Sequence, residues 1–389
     1  RSVPASIACH AVQSLGAQGG VHVRVDPTDA RSTLIELYDP RGANVSRAVE
    51  RKIEGAFFRE DFRRAAPHEV GKLEFPDRVL EQHRRDFLKL LDTAAIRLRR
   101  PRIVIDGAFG RIAPLLPPIL GELGCDAIYL NAHADFQRVP RSEAQRTDHL
   151  GRLGTTVATL GADFGVLLYD DGDRLAVVDE SGQVVPDAKL LALFAKLALR
   201  RGDPKRTLVA VPVGGSNSIA RIVEEAGGRL LQSPDDVRSL QHAAGAPDCA
   251  FAGDSRGGAI FPDFHPSSDG LMAAARLCEA LTGGQSIAEM VAALPTFFLI
   301  EREVPCAWDQ KGRVMRLLAE DEAVDPSCVD GVRFQHPEGW ALALPASSEP
   351  HFRVVAEGRD RDSAEALLAR YAERVLSLQT GAPPKASGQ

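Results

Sequence analysis

Three apolar runs, each leading through a turn into a helical segment or a second strand, constrain this chain to an α/β architecture. The runs occupy residues 19–25, 102–107 and 206–213. Strands that are buried on both faces have continuous apolar sequences of this kind, and short crossovers through helices produce parallel or mixed sheets. The pattern predicts three similar mixed-sheet α/β domains in series.

The C-terminal part of the chain has a different pattern. Strand-like segments separated by turns occupy residues 331–334, 339–344 and 352–357, and a helical segment follows at 362–377. This order predicts a smaller α+β domain. The predicted domains are therefore 1–98, 99–202, 203–302 and 303–379, followed by a disordered tail at 380–389.

Composition and charge exclude several classes of partner. The formal net charge is −6, and nucleic acid binding would need a concentration of basic residues on one face. No apolar run approaches the ~20 residues of a membrane span, and the first residues lack the apolar stretch of a signal peptide. We therefore expect a cytoplasmic protein with neither a nucleic acid nor a membrane partner.

An acidic loop between two apolar runs is the first candidate site. Its sequence is Tyr169, Asp170, Asp171, Gly172, Asp173 and Arg174. Three carboxylates on a tight turn repel one another unless a cation or an arginine neutralises them, and hard oxygen ligands suit Mg²⁺. The pattern is also typical of a solvated acidic hairpin turn, so both interpretations remain open at this point.

This region resembles the metal-binding loop of the phosphomannomutase and phosphoglucomutase family, in the α-D-phosphohexomutase superfamily, which has the motif DGDGDR. Aligned on the final Asp-Arg pair, this sequence retains Asp171, Asp173 and Arg174, but Tyr169 occupies the position of the first Asp. The resemblance implies a weakened Mg²⁺ site at Asp171 and Asp173, and Asp170 is a candidate replacement for the ligand missing at Tyr169. It also implies a catalytic role for Arg174.

A second segment, residues 251–266, resembles the sugar-binding loop of the same family, which has the motif GExSGH. Here Asp254 replaces the Glu, Arg256 replaces the Ser and Gly258 replaces the His. The resemblance implies that Asp254 and Arg256 contact the sugar. A glycine-rich turn without a ligand is the alternative.

A third segment, residues 344–350, resembles the phosphate-binding loop of the family, which has the motif RPSGTEP. Leu344 stands at the position of the Arg, the residue whose guanidinium suits phosphate. The resemblance implies that Ser347 and Ser348 bind the phosphate. Arg353, on the strand that follows, is expected to be a surface charge.

The catalytic loop of the family, TASHNP, carries a phosphoryl group on its Ser. Alignment on the preceding glycines places Asp26 at that position. An aspartyl phosphate is more labile than a phosphoserine and normally depends on an intact Mg²⁺ site. A carboxylate at this position can instead imitate the charge of phosphoserine without a group to transfer.

The resemblance extends to the mutase-like C-terminal module of bacterial mannose-1-phosphate guanylyltransferase fusions. It implies a nucleotidyltransferase domain ahead of Arg1, a truncated first domain, and a role in nucleotide-sugar metabolism. We expect a hexose phosphate, of mannose or glucose, to bind while phosphoryl transfer is lost or reduced. Two alternatives are an active mutase that uses Asp26 with Mg²⁺, and a ligand-free structural or oligomerisation module.

Overall fold

Four β-sheets follow one another along the chain. The structure is a computed structural model that describes residues 3–26, 29, 31–135, 137–201, 203–347 and 349–380. The first sheet is an antiparallel pair in which Val23 lies opposite Ile35. The elements of this region are α1 (Ala5–Ser14), β1 (Gly20–Val25), β2 (Thr33–Tyr38), α2 (Arg47–Phe58), α3 (Val79–Lys89) and α4 (Thr93–Arg99).

The second sheet is mixed and carries the acidic loop. Its strand order is β4-β3-β5-β6, with β3 parallel to β4 and β5, and β6 antiparallel to β5. Ser142 caps the helix between β4 and β5 by accepting a hydrogen bond from the amide of Gln145. The elements are β3 (Arg102–Asp106), α5 (Leu116–Glu122), β4 (Asp126–Leu130), α6 (Glu143–Leu160), β5 (Phe164–Tyr169) and β6 (Arg174–Asp179).

The third sheet repeats this arrangement of three parallel strands with an antiparallel strand at one edge. Its strand order is β10-β9-β7-β8. The elements are α7 (Asp187–Arg201), β7 (Leu208–Pro212), α8 (Asn217–Glu225), β8 (Arg229–Ser233), α9 (Val237–Ala244), β9 (Cys249–Gly253), β10 (Ala259–Ile260), α10 (Gly270–Ala280) and α11 (Ile287–Ala292).

The fourth sheet is entirely antiparallel, with the strand order β11-β14-β13-β12. Its own core includes the stacked rings of Phe334 and Tyr371. The elements are β11 (Leu299–Pro305), α12 (Trp308–Leu318), β12 (Val332–His336), β13 (Gly339–Pro345), β14 (His351–Gly358) and α13 (Arg361–Thr380).

One continuous hydrophobic core joins the second and third sheets. It contains Ile105 and Phe164 from the second sheet with Val209 and Phe251 from the third, and Phe87 of α3 packs into it. The predicted fold class, mixed α/β sheets in series followed by a smaller α+β region, is confirmed. Among the described residues, no helix combines the length and the apolar character needed to cross a membrane.

Candidate functional site

A cleft of about 740 Å³ lies between the first sheet and the loops of the second and third sheets, with Ser347 of the fourth at its edge. Pockets of this size are typical of small-molecule sites. Most of the polar side chains that line it are charged: Arg24, Glu36, Arg47, Glu50, Arg51, Glu54, Asp173, Arg174, Asp236, Arg238 and Asp254.

The acidic loop connects β5 to β6, and its Asp171 pairs with Arg111. The Arg111 amide donates to Asp171 Oδ1 at 2.9 Å, and its Nε donates to Oδ2 at 2.7 Å. The Arg111 Nη2 donates to the same Oδ2. The two side chains are only 9% and 15% exposed, so the arginine is a fixed counter-charge for Asp171.

The second retained carboxylate, Asp173, pairs with Arg24 of β1. Arg24 Nη1 donates to Asp173 Oδ2 at 2.8 Å, and Arg24 Nε lies 3.1 Å from Glu36 Oε2. Burial by itself would lower the pKa of Arg24, but the two carboxylates raise it well above its ordinary value. Arg24 therefore attaches the first sheet to the acidic loop as a permanent cation.

Glu36 on β2 completes this ion-pair network. His22 Nδ1 lies 3.2 Å from Glu36 Oε2, and the Tyr38 hydroxyl donates to the same oxygen at 3.3 Å. Burial opposes ionisation of Glu36, but the hydrogen bond from His22 and the charge of Arg24 bring its pKa below the ordinary value. One face of the first sheet thus presents an ordered polar network to the cleft.

Asp26, the residue predicted at the phosphoserine position, lies just after β1 and is half-buried. Its Oδ1 accepts a hydrogen bond from the amide of Asp29 at 3.3 Å, and its own amide donates to the carbonyl of Ser32 at 3.0 Å. These contacts shape the turn between β1 and β2. The carrier role of Asp26 stays a prediction.

Tyr169, at the position of the missing aspartate, connects the acidic loop to residues 251–266, the sugar-loop segment. Its hydroxyl donates to the carbonyl oxygen of Arg256 at 2.8 Å. The amide of Leu175 donates to the carbonyl of Gly257 at 3.1 Å, so two hydrogen bonds join the segments. The side chain of Asp170 lies outside the described residues.

Asp254 is buried at the wall of the cleft and organises the sugar-loop segment. It accepts hydrogen bonds from the amides of Arg256 and Gly258, at 2.8 and 3.0 Å. Burial would raise the pKa of Asp254, but Arg174 and Arg256 bring it below its ordinary value. A Cβ atom on Gly258 would lie 2.9 Å from Asp254 Oδ2, so the glycine allows this close approach.

Arg256 and Arg353 share the carboxylate of Asp235, which links the third and fourth sheets. Arg256 Nη2 lies 3.4 Å from Asp235 Oδ1, and Arg353 Nη2 donates to Oδ2. The expectation that Arg353 is a surface charge is wrong, because its side chain is only 13% exposed. The sequence gives no indication of this distant carboxylate partner.

The phosphate-loop segment is held by Lys311 of α12, a residue that the sequence reasoning missed. Lys311 Nζ donates to the carbonyl oxygens of Ala346, at 2.5 Å, and Glu349. Ser347 between them lines the cleft, and Ser348 lies outside the described residues. Lys311 therefore fixes the backbone conformation of this segment.

Two family models match the central part of the chain. Residues 81–182 match phosphoglucomutase/phosphomannomutase alpha/beta/alpha domain II, and residues 186–298 match domain III. A probable phosphoglucosamine mutase of Methanopyrus kandleri is 30% identical over 374 residues, which cover 95% of this chain and 81% of that protein. The chain belongs to the α-D-phosphohexomutase superfamily.

Solved structures have the same fold at low sequence identity. A phosphoglucomutase/phosphomannomutase family protein from Burkholderia thailandensis has a TM-score of 0.83 at 21% identity, covering 98% of this chain and 82% of its own. An Aspergillus fumigatus N-acetylphosphoglucosamine mutase, solved with GlcNAc-6P and magnesium, has a TM-score of 0.65 at 14% identity, with coverage of 96% and 93%.

For this superfamily member, the structure brings four of the predicted site residues to one cleft: Asp173, Arg174, Asp254 and Ser347. Asp171 lies on the same loop but faces Arg111, and Arg256 faces Asp235. Arg111 could have been found from the order of the strands. Arg111 and Asp171 follow β3 and β5, which are parallel neighbours, and the carboxyl ends of such strands meet at one edge of the sheet.

Proposed function

We propose that this cytoplasmic phosphohexomutase-superfamily chain binds a hexose phosphate in the central cleft and that its mutase phosphoryl transfer is lost or reduced. The observation that carries the proposal is the pairing of Asp171 with Arg111 and of Asp173 with Arg24. Phosphoryl transfer needs a carrier, a metal and a phosphate clamp together, and residues that act as a unit fail together.

The acidic loop is a poor match for Mg²⁺. The ion prefers octahedral oxygen coordination at about 2.0–2.1 Å, with carboxylates and several waters. Asp171 Oδ1 already accepts a hydrogen bond from the Arg111 backbone amide, and Asp171 Oδ2 and Asp173 Oδ2 accept hydrogen bonds from guanidinium groups. An ion that enters this loop must displace at least one half-buried or buried arginine, which supports a weakened magnesium site.

The cleft itself supports retained binding of a phosphorylated sugar. Arg174, Arg47 and Arg51 line it, and guanidinium groups are suited to phosphate oxygens. The Asp254 carboxylate can accept hydrogen bonds from sugar hydroxyls, and the Ser347 hydroxyl can accept or donate them. The chemistry supported by these residues is recognition of an anionic sugar. Arg24 and Arg111, which pair with the acidic loop, supply fixed positive charge in place of a metal.

A role in nucleotide-sugar biosynthesis, through a nucleotidyltransferase domain ahead of this chain, rests on the resemblance to guanylyltransferase fusions. The second candidate function, an active mutase that uses Asp26 as the phosphoryl carrier, is favoured by the position of Asp26 immediately after β1, two residues beyond Arg24. The two functions make opposite predictions for turnover.

Calorimetric titration with mannose 1-phosphate, glucose 1-phosphate and glucosamine 6-phosphate, with and without Mg²⁺, tests the binding proposal. We expect binding that does not require Mg²⁺ and is weakened in Arg174→Ala, but not in the control Arg313→Ala, which removes an exposed arginine outside the cleft. Absence of heat with every sugar phosphate would instead favour the structural module.

Phosphorus NMR with the same sugar phosphates, Mg²⁺ and a catalytic amount of the hexose 1,6-bisphosphate tests the loss of transfer. We expect no interconversion of the 1- and 6-phosphates. Turnover in the wild type that disappears in Asp26→Ala would overturn the proposal and establish the active-mutase alternative.

A further inference from the structure

Three histidines and an aspartate are buried together behind the cleft, in a region that the sugar-phosphate proposal does not use. His10 lies on α1, His83 on α3, His265 in the loop after β10, and Asp269 at the start of α10. All four are buried, and the rings of the three histidines pack against the ring of Phe264. Buried polar groups in apolar surroundings require a partner, so each of these side chains has to be accounted for.

His10 and His83 each have one ring nitrogen without such a partner among the described residues, and His83 is the one whose ligand atom lies near those of His265 and Asp269. The Nε2 atom of His83 is buried, the residue is only 2% exposed, and no hydrogen-bond partner for that atom occurs among the described residues. The His83 ring packs against His10 and Phe264, with centroids at 5.1 Å in each case. Burial lowers the pKa of His83 to about 3, which keeps its imidazole neutral, the state that binds a metal ion.

His265 and Asp269 already lie at the separation of two metal ligands. His265 Nε2 is 3.1 Å from Asp269 Oδ2. The other oxygen, Asp269 Oδ1, caps α10 by accepting a hydrogen bond from the amide of Met272 at 2.8 Å. Capping therefore uses one oxygen of Asp269 and leaves Oδ2 directed towards the histidines.

We propose that His83, His265 and Asp269 form a binding site for a transition-metal ion of the Zn²⁺ class. Their ligand atoms all lie within 4.8 Å of one another. Tetrahedral Zn²⁺ with bonds of about 2.0–2.1 Å holds its ligands roughly 3.3 Å apart. The His265 and Asp269 atoms meet this requirement, and a small approach of the His83 ring completes the set.

The ligand types select the metal. Two imidazoles and one carboxylate suit Zn²⁺ or Co²⁺, whereas Mg²⁺ prefers oxygen ligands alone. Binding at His265 Nε2 moves the remaining ring proton to Nδ1, which at present accepts a hydrogen bond from the amide of Ser267 at 3.2 Å. Metal binding also replaces the hydrogen bond between His265 Nε2 and Asp269 Oδ2, at 3.1 Å, and the loss of these two hydrogen bonds is small beside the free energy of metal binding.

The site has a structural consequence for the cleft. It joins α3 to the loop between His265 and Asp269, and two residues of that loop, Ser267 and Ser268, line the cleft. A bound ion would fix this wall of the cleft while leaving the acidic loop unchanged. The inference is independent of the proposed function, because it uses different residues and a different ion.

The test uses the untagged full chain, freed of metal with a chelator, incubated with Zn²⁺ and desalted before metal analysis by mass spectrometry. We expect about one Zn²⁺ to remain per chain, and Co²⁺ to give the visible absorption of a tetrahedral site. His83→Gln and Asp269→Asn are expected to lower the affinity at least about 100-fold. Asparagine keeps the capping oxygen of residue 269, so Asp269→Asn separates the ligand role from the helix cap.

His68→Gln is the control, because His68 is exposed and does not belong to this buried cluster. Retention of no Zn²⁺ by the wild type after reloading would overturn the proposal. Equal retention by the wild type and Asp269→Asn would do the same, since it would place the ion elsewhere. If His83→Gln fails to fold by circular dichroism, Asp269→Asn decides the result alone.

Discussion

Arg111 donates hydrogen bonds to both carboxylate oxygens of Asp171, on the loop where the superfamily resemblance implies a metal. The pair forms because β3 and β5 are adjacent and parallel, which brings the segments after them to the same edge of the sheet. Asp171 itself has a φ of 66°, an infrequent conformation that aspartate tolerates better than most residues. The loop is therefore neutralised by the protein's own side chain.

Removal of this arginine is expected to expose the latent metal site. In Arg111→Ala, Asp171 becomes a half-buried carboxylate without its main counter-charge, and breaking such a pair typically costs about 3–5 kcal/mol. Millimolar Mg²⁺ should recover part of the loss by binding the folded state. Thermal unfolding with and without Mg²⁺ measures both effects.

Arg313→Ala provides the matched control, because Arg313 is exposed on α12. We expect little change in its unfolding temperature and no response to Mg²⁺ beyond that of the wild type. An Arg111→Ala protein that ignores Mg²⁺ would show that the loop cannot bind the ion even when the arginine is absent.

When the carboxylate of Asp235 is removed, we expect a free anion such as phosphate to bind in its place. The Asp235 carboxylate lies between the guanidinium groups of Arg256 and Arg353, and Asp235→Asn leaves these two cations near each other without their shared anion. We expect a loss of roughly 3 kcal/mol in unfolding free energy. Phosphate should raise the unfolding temperature of the variant more than chloride at equal ionic strength, and equal responses in wild type and variant would contradict this.

The sequence could predict which segments surround the cleft, but not how their charges pair. The predicted apolar runs became strands, and segments containing Asp173, Arg174, Asp254 and Ser347 came together as the family resemblance implied. The pair of Arg24 with Asp173 spans 149 positions of the chain. Contacts of this length depend on how the sheets are arranged relative to one another, which local periodicity does not specify.

Local patterns also failed where burial decided the outcome. Arg353 alternates with apolar residues on β14 and was expected at the surface, but the third sheet covers it through Asp235. The sequence does not predict the histidine cluster either, because no motif surrounds His83 or His265. The two residues lie close together only because α3 packs beside the loop before α10.

Glu357 is expected to be the residue most important for holding the fourth sheet against the third. Its carboxylate is buried and accepts hydrogen bonds from the Asn217 amide at 2.9 Å and from Trp340 Nε1 at 2.7 Å, as well as from the Ser216 hydroxyl. In Glu357→Gln an NH₂ group replaces one acceptor oxygen, so a hydrogen-bond donor of the side chain faces these donors and at least one hydrogen bond is lost. We expect a loss of about 2–3 kcal/mol in urea unfolding, because hydrogen bonds to charged groups contribute about 1.5–3 kcal/mol each.

Glu373→Gln, a change of the same size at an exposed position of α13, is the comparison for that measurement. It should shift the urea midpoint by no more than a surface substitution normally does. A Glu357→Gln protein as stable as this control would show that the carboxylate charge contributes nothing at the junction between the sheets.

Acid is expected to destabilise the metal-free protein through the buried histidines. Burial lowers the pKa of His83 from 6.5 to about 3, and burial with the neighbouring His265 lowers that of His10. As the pH falls below 6.5, the unfolded chain binds protons at these histidines that the folded chain does not bind, so the free energy of unfolding decreases. For His83 this decrease approaches about 1.4 kcal/mol per pH unit. Above pH 6.5 both states are neutral at these positions, and the effect is absent.

His83→Gln removes one of these protons, and so identifies the source of the slope. Between pH 5 and 6.5, in the presence of a chelator, the unfolding free energy of this variant should depend on pH less steeply than that of the wild type, by a difference that approaches about 1.4 kcal/mol per unit near pH 5. The ionised neighbours Asp86 and Asp269 remain in both proteins, so their contributions cancel in the comparison. Identical slopes for wild type and His83→Gln in urea unfolding would mean that His83 is protonated in the folded protein.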